Sequence, residues 1–112
     1  MSETIFSKII RKEIPADIVY ETDEVLAFKD NNPQAPVHIL IIPKIFIRSP
    51  YEVDDSNCET AGKLIAAASH IAKEMNLKSY RLVMNCGEES GQSVFHLHLH
   101  LLAGRVMNWP PG

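Results

Sequence analysis

The sequence predicts an α+β fold with two helices and five strands in a mostly antiparallel sheet. VHILIIP (37–43) is nearly all apolar and β-branched, which is typical of a central strand. Apolar residues between Glu59 and Met75 recur at the spacing of one helix face. The predicted order is helix, hairpin, strand, helix, strand, strand, and this order favours antiparallel pairing.

The first predicted helix covers TIFSKIIRKEIP (4–15). Ser2 or Thr4 can cap its first turn, and Pro15 is expected to end it. Its apolar residues fall on one face, namely Ile5, Phe6, Ile9 and Ile10.

Two strands follow, over DIVYETD (17–23) and EVLAFKD (24–30), and form the hairpin. NNPQAP (31–36) is rich in Asn and Pro and is predicted to be a loop. The central strand comes next, and Pro43 ends it.

The second helix, from Glu59 to Met75, follows a polar connection that contains three candidate N-caps. These candidates are Asp54, Asp55 and Ser56. The residues expected to face the core are Leu64, Ala68, Ile71 and Met75.

The last two predicted strands are SYRLVMN (79–85) and SVFHLHLHLLAG (93–104). CGEESGQ (86–92) connects them as a glycine-containing loop. The tail RVMNWPPG (105–112) is expected to lack regular structure beyond Trp109.

Length and composition predict one domain over residues 1–112. Apolar residues make up 46% and charged residues 22%, which is ordinary for a soluble globular protein. No apolar run is long enough to cross a bilayer, and the first residues lack a secretory signal, so we expect no membrane partner and a cytoplasmic protein, nuclear as well in a eukaryote. The net charge of -3 gives no basic surface for nucleic acid.

Cys58 and Cys86 are the two cysteines, and no CxxC spacing links them, which argues against a zinc finger. Two free thiols in a reducing compartment are predicted, with a single disulfide as the alternative.

Three histidines alternate with leucines in SVFHLHLHLL (93–102). Strict alternation is typical of a half-buried strand, so His96, His98 and His100 should share one face. Three buried imidazoles on one face are too costly to be incidental. Metal binding and catalysis are the two functional explanations, and a strand with incidental histidines is the third alternative.

A metal site fits this spacing poorly. Residues i and i+4 of a strand lie about 13 Å apart, whereas the ligands of one zinc lie within about 4 Å of each other. Two of the three histidines can therefore share a metal, and His38 or a carboxylate would have to complete the site.

A catalytic site fits it better. Neutral imidazole is nucleophilic near pH 7, and His98 stands in the middle of the three. Gly87 and Gly91 allow backbone N–H groups to turn toward an anion, Ser93 adds a hydroxyl, and Asn85 can add an amide. This set suits phosphoryl chemistry.

HLHLHLL (96–102) matches the histidine triad pattern of the HIT superfamily. Together with AFKDNNPQAPVHILIIPK, YRLVMNCGEESGQSVFHLHLHLLAGR and the terminal WPPG, the chain resembles the histidine triad nucleotide-binding (HINT) branch over nearly its whole length. The resemblance implies a homodimer whose two five-stranded sheets join, with purine nucleoside phosphoramidase activity, an AMP-type nucleotide substrate and neither cofactor nor metal.

The resemblance also implies roles for the site residues. His98 would attack the α-phosphorus and form a nucleotidyl-histidine, and His100 would contact the phosphate oxygens. His96 and His38 would orient the triad, and Ser93 would lie near the leaving amine. The nucleotide-binding residues implied in addition are Ile5, Phe6, Phe28, Asp30, Asn31, Asn85, Gly91, Gln92 and Val94.

Within that set, Asp30 would bind the ribose hydroxyls, and Ile5, Phe6 and Phe28 would line the purine pocket. Core packing is the alternative for the two phenylalanines. Trp109 would reach the partner's site, unless the tail only packs on its own subunit.

The chain departs from its apparent relatives at Asn31, where an apolar residue is common. Glu88 and Glu89 either oppose an anionic substrate or face solvent. Three other functions compete with the phosphoramidase. They are a dinucleoside polyphosphate hydrolase, which Ser93 and the WPPG tail argue against, a nucleotide-sensing scaffold, and a zinc-binding β protein.

Overall fold

The computed structural model describes residues 3–112 and contains one antiparallel five-stranded sheet with the strand order β1-β2-β3-β5-β4. The strands are β1 (Ile18–Glu21), β2 (Val25–Lys29), β3 (Val37–Pro43), β4 (Arg81–Val83) and β5 (Leu99–Ala103). The helices are α1 (Ile5–Ile10) and α2 (Cys58–Glu74), and two short 3-10 turns cover Pro50–Glu52 and Glu88–Ser90. The predicted α+β fold is confirmed.

Helix α1 is shorter than the sequence predicts. Thr4 caps it in a reciprocal capping box with Ser7, while Ser2 lies outside the described residues. The helix ends at Ile10, because Lys12 adopts a left-handed backbone (φ 63°) and the next residue returns its N–H to the last turn. The prediction that Pro15 ends the helix is therefore wrong.

Helix α2 agrees with the prediction to within one residue at each end, but its cap does not. The N-cap is Asn57, and Asp54, Asp55 and Ser56 all precede it. The Asn57 side chain accepts from the Asp54 N–H (2.8 Å) instead of capping the helix. Met75, predicted to face the core, lies just beyond the helix and is 41% exposed.

The sheet separates two apolar layers. One face packs under α2 and buries Val25, Ala27, Ile39, Ile41, Leu99, Leu101 and Ala103. The other face packs under α1 and buries Leu26, Phe28, Leu40 and Ile42 against Phe6 and Ile9. Strand β3, at the centre, has the predicted boundaries, and six of its seven residues are buried.

The histidine-containing segment pairs as a strand only from Leu99, not from residue 93. His96 and His98 precede the ladder, in a stretch held by single bonds such as Leu97 N–H to the Ile47 carbonyl (2.6 Å). Leu97 still faces the α2 layer, while His96 and His98 contact Phe6 of the α1 layer. The predicted alternation of faces therefore holds although the strand is shorter.

Both cysteines are free and exposed, as predicted. Within residues 3–112, no helix combines the length and apolarity needed to cross a membrane.

Candidate active site

His98 has its two ring nitrogens in different environments. Nδ1 lies 2.7 Å from the His96 carbonyl oxygen, which can only accept, so Nδ1 carries the proton. The lone pair is therefore on Nε2, and His98 lines a cavity of about 220 Å³. Burial lowers the pKa of His98, although the bond to the His96 carbonyl and the Asp30 carboxylate oppose the shift. The ring is a neutral imidazole with one nitrogen available for attack.

The tautomer of His100 is set from a loop through His38. The Gln34 N–H donates to His38 Nδ1 (3.0 Å), so the His38 proton is on Nε2. That nitrogen donates to His100 Nδ1 (2.9 Å), because β3 and β5 place the two rings as diagonal neighbours on one face. The proton of His100 is consequently on Nε2, a buried atom without a partner among the described residues.

His100 stays neutral because burial first, and then the neighbouring His98 and His38, lower its pKa to about 4. Burial likewise lowers the pKa of His38, against the opposing effect of Asp30. His100 also lines the cavity, and its Nε2–H is a donor without a partner among the described residues.

His96 stands behind the other two rings. It is 1% exposed, and its Nε2 donates to the Pro43 carbonyl (2.8 Å). Its ring contacts Phe6 and Phe46, and burial lowers its pKa. The His96 carbonyl fixes the His98 tautomer, so this residue acts on the site through its backbone.

The cavity is lined by both apolar and polar residues. The apolar ones include Ile5, Phe6, Phe28 and Val94, and the polar ones include Asp30, Asn31, Ser93, His98 and His100. Phe6 and Phe28 are also core residues, 5% and 4% exposed, with ring centroids 5.6 Å apart. The two phenylalanines are therefore core residues that also line the cavity.

Asp30 follows β2 at the edge of the cavity. Its Oδ1 accepts from the Asn32 N–H (2.7 Å). Its second oxygen, Oδ2, lies 3.5 Å from His38 Nε2. Sequence reasoning missed Lys29, which precedes Asp30 and also lines the cavity. Its position in the strand next to Asp30 was the available signal.

The loop before the histidines contributes fewer side chains to the cavity than the sequence analysis predicts. Ser93 lines the cavity, but Asn85, Gly91 and Gln92 do not. The Asn85 side chain packs next to Gly91, since a Cβ atom on Gly91 would lie 3.4 Å from Asn85 Nδ2.

The acidic residues of this loop and the aromatic residue of the tail are both exposed. Glu88 and Glu89 face solvent, which is one of the two expected alternatives. Trp109 is 81% exposed and contacts Arg81 at 5.9 Å, so it does not pack into the core of its own subunit.

A model of the HIT domain matches residues 11–107. The chain belongs to the HIT domain family. This confirms the family predicted from the alternating histidines, and the HIT fold is confirmed by a solved structure, a HIT family hydrolase from Legionella pneumophila. That structure has a TM-score of 0.95 and 46% identity over 98% of this chain and 100% of its own.

Curated relatives cover the chain equally well. The 14 kDa zinc-binding protein of Zea mays is 52% identical over 99% of this chain and 89% of its own length. Adenylylsulfatase HINT1 of Arabidopsis thaliana is 47% identical over 99% of this chain and 78% of its own. The protein is thus a hydrolase of the HIT family with similarity to HINT1.

The name of the maize relative raises the question of zinc. Among the described residues, Asp30, His38 and His100 bring ligand atoms within 4.8 Å of one another. Zinc takes a lone pair from each imidazole. The Gln34 N–H occupies the one lone pair of His38, and His38 Nε2 carries a proton. This group, as it is hydrogen-bonded, does not fit zinc.

Proposed function

We propose that this HIT family protein hydrolyses purine nucleoside phosphoramidates of the AMP type through a nucleotidyl-histidine on His98. The observation that carries the proposal is the His98 hydrogen bond to the His96 carbonyl (2.7 Å), which leaves the Nε2 lone pair available at the cavity. A fixed neutral imidazole beside a donor for phosphate oxygens suits nucleophilic attack on phosphorus.

In the first step, His98 Nε2 attacks the α-phosphorus, an Nε2–P bond forms and the P–N bond to the amine breaks. The electron pair of that bond goes to the amine nitrogen, which also takes a proton from the Ser93 hydroxyl while Ser93 regains a proton from a solvent water. The positive charge that develops on the imidazole is stabilised by the bond from Nδ1–H to the His96 carbonyl. The Nε2–H of His100 donates to a phosphoryl oxygen.

In the second step, water attacks phosphorus and the Nε2–P bond breaks, which returns its electron pair to His98. One proton of the water passes to solvent and the hydroxyl group stays on phosphorus, so AMP is released. No cofactor enters either step.

The nucleoside is held by residues that line the cavity. Phe28 and Phe6 offer ring edges and faces to a purine, and the Asp30 carboxylate offers acceptor oxygens to the ribose hydroxyls.

The test is AMP release from an adenosine phosphoramidate in EDTA, by the wild type and by His98→Ala. We expect metal-independent turnover that falls by about 10⁴-fold or more in the variant. Mass spectrometry of quenched reactions should trap the nucleotidylated protein. Turnover that survives the substitution, or that EDTA abolishes, would overturn the proposal.

A second leaving group has specific support, because the Arabidopsis relative is named an adenylylsulfatase. Sulfate departs without a proton, so an adenylyl sulfate needs His98 but not Ser93. We expect Ser93→Ala to slow the phosphoramidate more than the sulfate. Equal losses for both substrates would remove Ser93 from the proton-transfer role.

A further inference from the structure

Gln92 has a buried carboxamide although it belongs to the loop beside the part of the cavity that Ser93, His98 and His100 line (the phosphate end). The residue is 2% exposed and does not line the cavity. Its Oε1 accepts from the Gly87 N–H (2.9 Å), and its Nε2 donates to the carbonyls of Arg48 (3.0 Å) and Val94 (3.1 Å). Both N–H donors and one oxygen lone pair are therefore used, all on backbone groups.

One of these bonds closes the loop on itself. The Gln92 N–H donates to the Gly87 carbonyl (3.0 Å), while the Gly87 N–H donates to the Gln92 side chain. The two residues are thus joined in both directions. Gly91, between them, adopts a left-handed backbone (φ 101°) that lets the chain turn back.

A second bond attaches the loop to a separate segment of the chain. Arg48, whose carbonyl accepts from Gln92, follows Ile47, and the Ile47 carbonyl accepts from the Leu97 N–H (2.6 Å). The segment that bonds the Gln92 side chain therefore also bonds Leu97, the residue that precedes His98.

The third bond fixes the far side of Ser93. Gln92 precedes Ser93 and its side chain bonds the carbonyl of Val94, which follows Ser93. Ser93 and Val94 both line the cavity. The backbone on each side of Ser93 is consequently held by a single buried carboxamide.

We propose that Gln92 is a positioning residue for the phosphate end of the site. It acts through Ser93 and touches no substrate. The identity of the ligand rests on the proposed function. The role of the carboxamide rests on its hydrogen bonds.

No other side chain of similar shape can make this set of bonds. A methionine leaves the Gly87 N–H and the carbonyls of Arg48 and Val94 without this partner. A glutamate keeps the acceptor for Gly87 but turns an oxygen toward two carbonyl oxygens. Gln92→Met and Gln92→Glu should therefore loosen the same loop by different routes.

The first measurement is calorimetric binding of AMP and of adenosine to wild type, both Gln92 variants and Ile71→Val. Ile71 belongs to α2 and is buried against the opposite face of the sheet, so it serves as a control for lost stability alone. We expect AMP affinity to fall about tenfold in the Gln92 variants. Adenosine affinity should stay at the wild-type value, and Ile71→Val should change neither.

The second measurement is turnover of phosphoramidates whose leaving amines differ in pKa, in wild type, Gln92→Met, Ser93→Ala and the double variant. A displaced Ser93 hydroxyl protonates the amine poorly, so kcat should fall most for the most basic amines. In the Ser93→Ala background, Gln92→Met should cost less than threefold further.

The outcomes separate the two proposals. Equal losses of AMP and adenosine binding, no loss of either, or a wild type that binds AMP no better than adenosine would overturn the role of Gln92. Additive effects of Gln92→Met and Ser93→Ala on kcat would do the same. A wild type without turnover whose preference for AMP is lost in the variants would support Gln92 while overturning the hydrolase proposal.

Discussion

His38 and His100 are diagonal neighbours on β3 and β5, with 2.9 Å between Nε2 of the first ring and Nδ1 of the second. The Gln34 N–H, 3.0 Å from His38 Nδ1, decides that the shared proton belongs to His38. The direction of this hydrogen bond then decides that His100 presents an N–H, and not a lone pair, at its other nitrogen. A loop residue thus sets the polarity of the site through two imidazoles.

Replacing His38 by Ala should lower kcat by about 10²-fold and leave AMP affinity nearly unchanged. His100 loses the donor that fixes its tautomer, while the groups that hold the nucleoside remain. Steady-state kinetics and AMP titration measure the two effects. His70→Ala is the control, because this exposed imidazole stacks on Tyr20 away from the cavity. Parallel losses of kcat and AMP affinity would contradict the assigned role.

The rate should remain high at mildly acidic pH. Burial lowers the pKa of His98, so the nucleophile stays neutral below the ordinary histidine pKa of about 6.5. The acid limb of kcat/KM should therefore have its midpoint below about pH 6.5. A profile measured in buffers of constant ionic strength tests this. A midpoint above the ordinary value would mean that a different group controls the reaction.

Folding stability should fall as the pH is lowered. Burial lowers the folded-state pKa of His38, His96, His98 and His100, the last to about 4. Between these values and about 6.5 the unfolded chain binds more protons, so stability is complete above about pH 6.5 and declines toward pH 4. Each histidine contributes at most about 1.4 kcal/mol per pH unit. Urea unfolding across this range should show a shallower decline for His100→Gln.

Asp30 should act on nucleoside binding. Asp30→Ala removes the carboxylate proposed to bind the ribose, so we expect KM to rise about 10- to 100-fold. A 2′,3′-dideoxy substrate should bind wild type and variant almost equally, since the hydroxyls are absent. If the variant still distinguishes the ribose substrate from the dideoxy one, another residue binds the sugar.

Sequence reasoning succeeded where a local pattern and the tertiary structure agree. The boundaries of β3 follow from an apolar run that both sheet faces bury, and the alternation of His96, His98 and His100 follows from an extended backbone. It failed where a residue adopts a backbone conformation that is uncommon for its type. Lys12 takes a left-handed conformation without being glycine, so α1 ends before the proline that marks its end in the sequence.

The role of Gln92 illustrates a second limit. The family resemblance implies that Gln92 binds nucleotide, whereas its side chain bonds three backbone groups of residues 5 positions before, 2 positions after and 44 positions before it. Only the folded arrangement brings these groups together. The proton on His38 has the same origin, because it depends on the Gln34 backbone and not on a side chain.

Helix α1 has only six residues, too few for a helix that is stable by itself in water, yet its Phe6 ring lies 5.1 Å from the His98 ring. Part of the wall around the nucleophile is therefore built on an element that frays easily. Amide hydrogen exchange should show α1 opening before β3 and β5, and bound AMP should slow that opening. Opening of α1 would give a purine a route into the cavity while His38 and His100 stay fixed on the slower-exchanging strands β3 and β5.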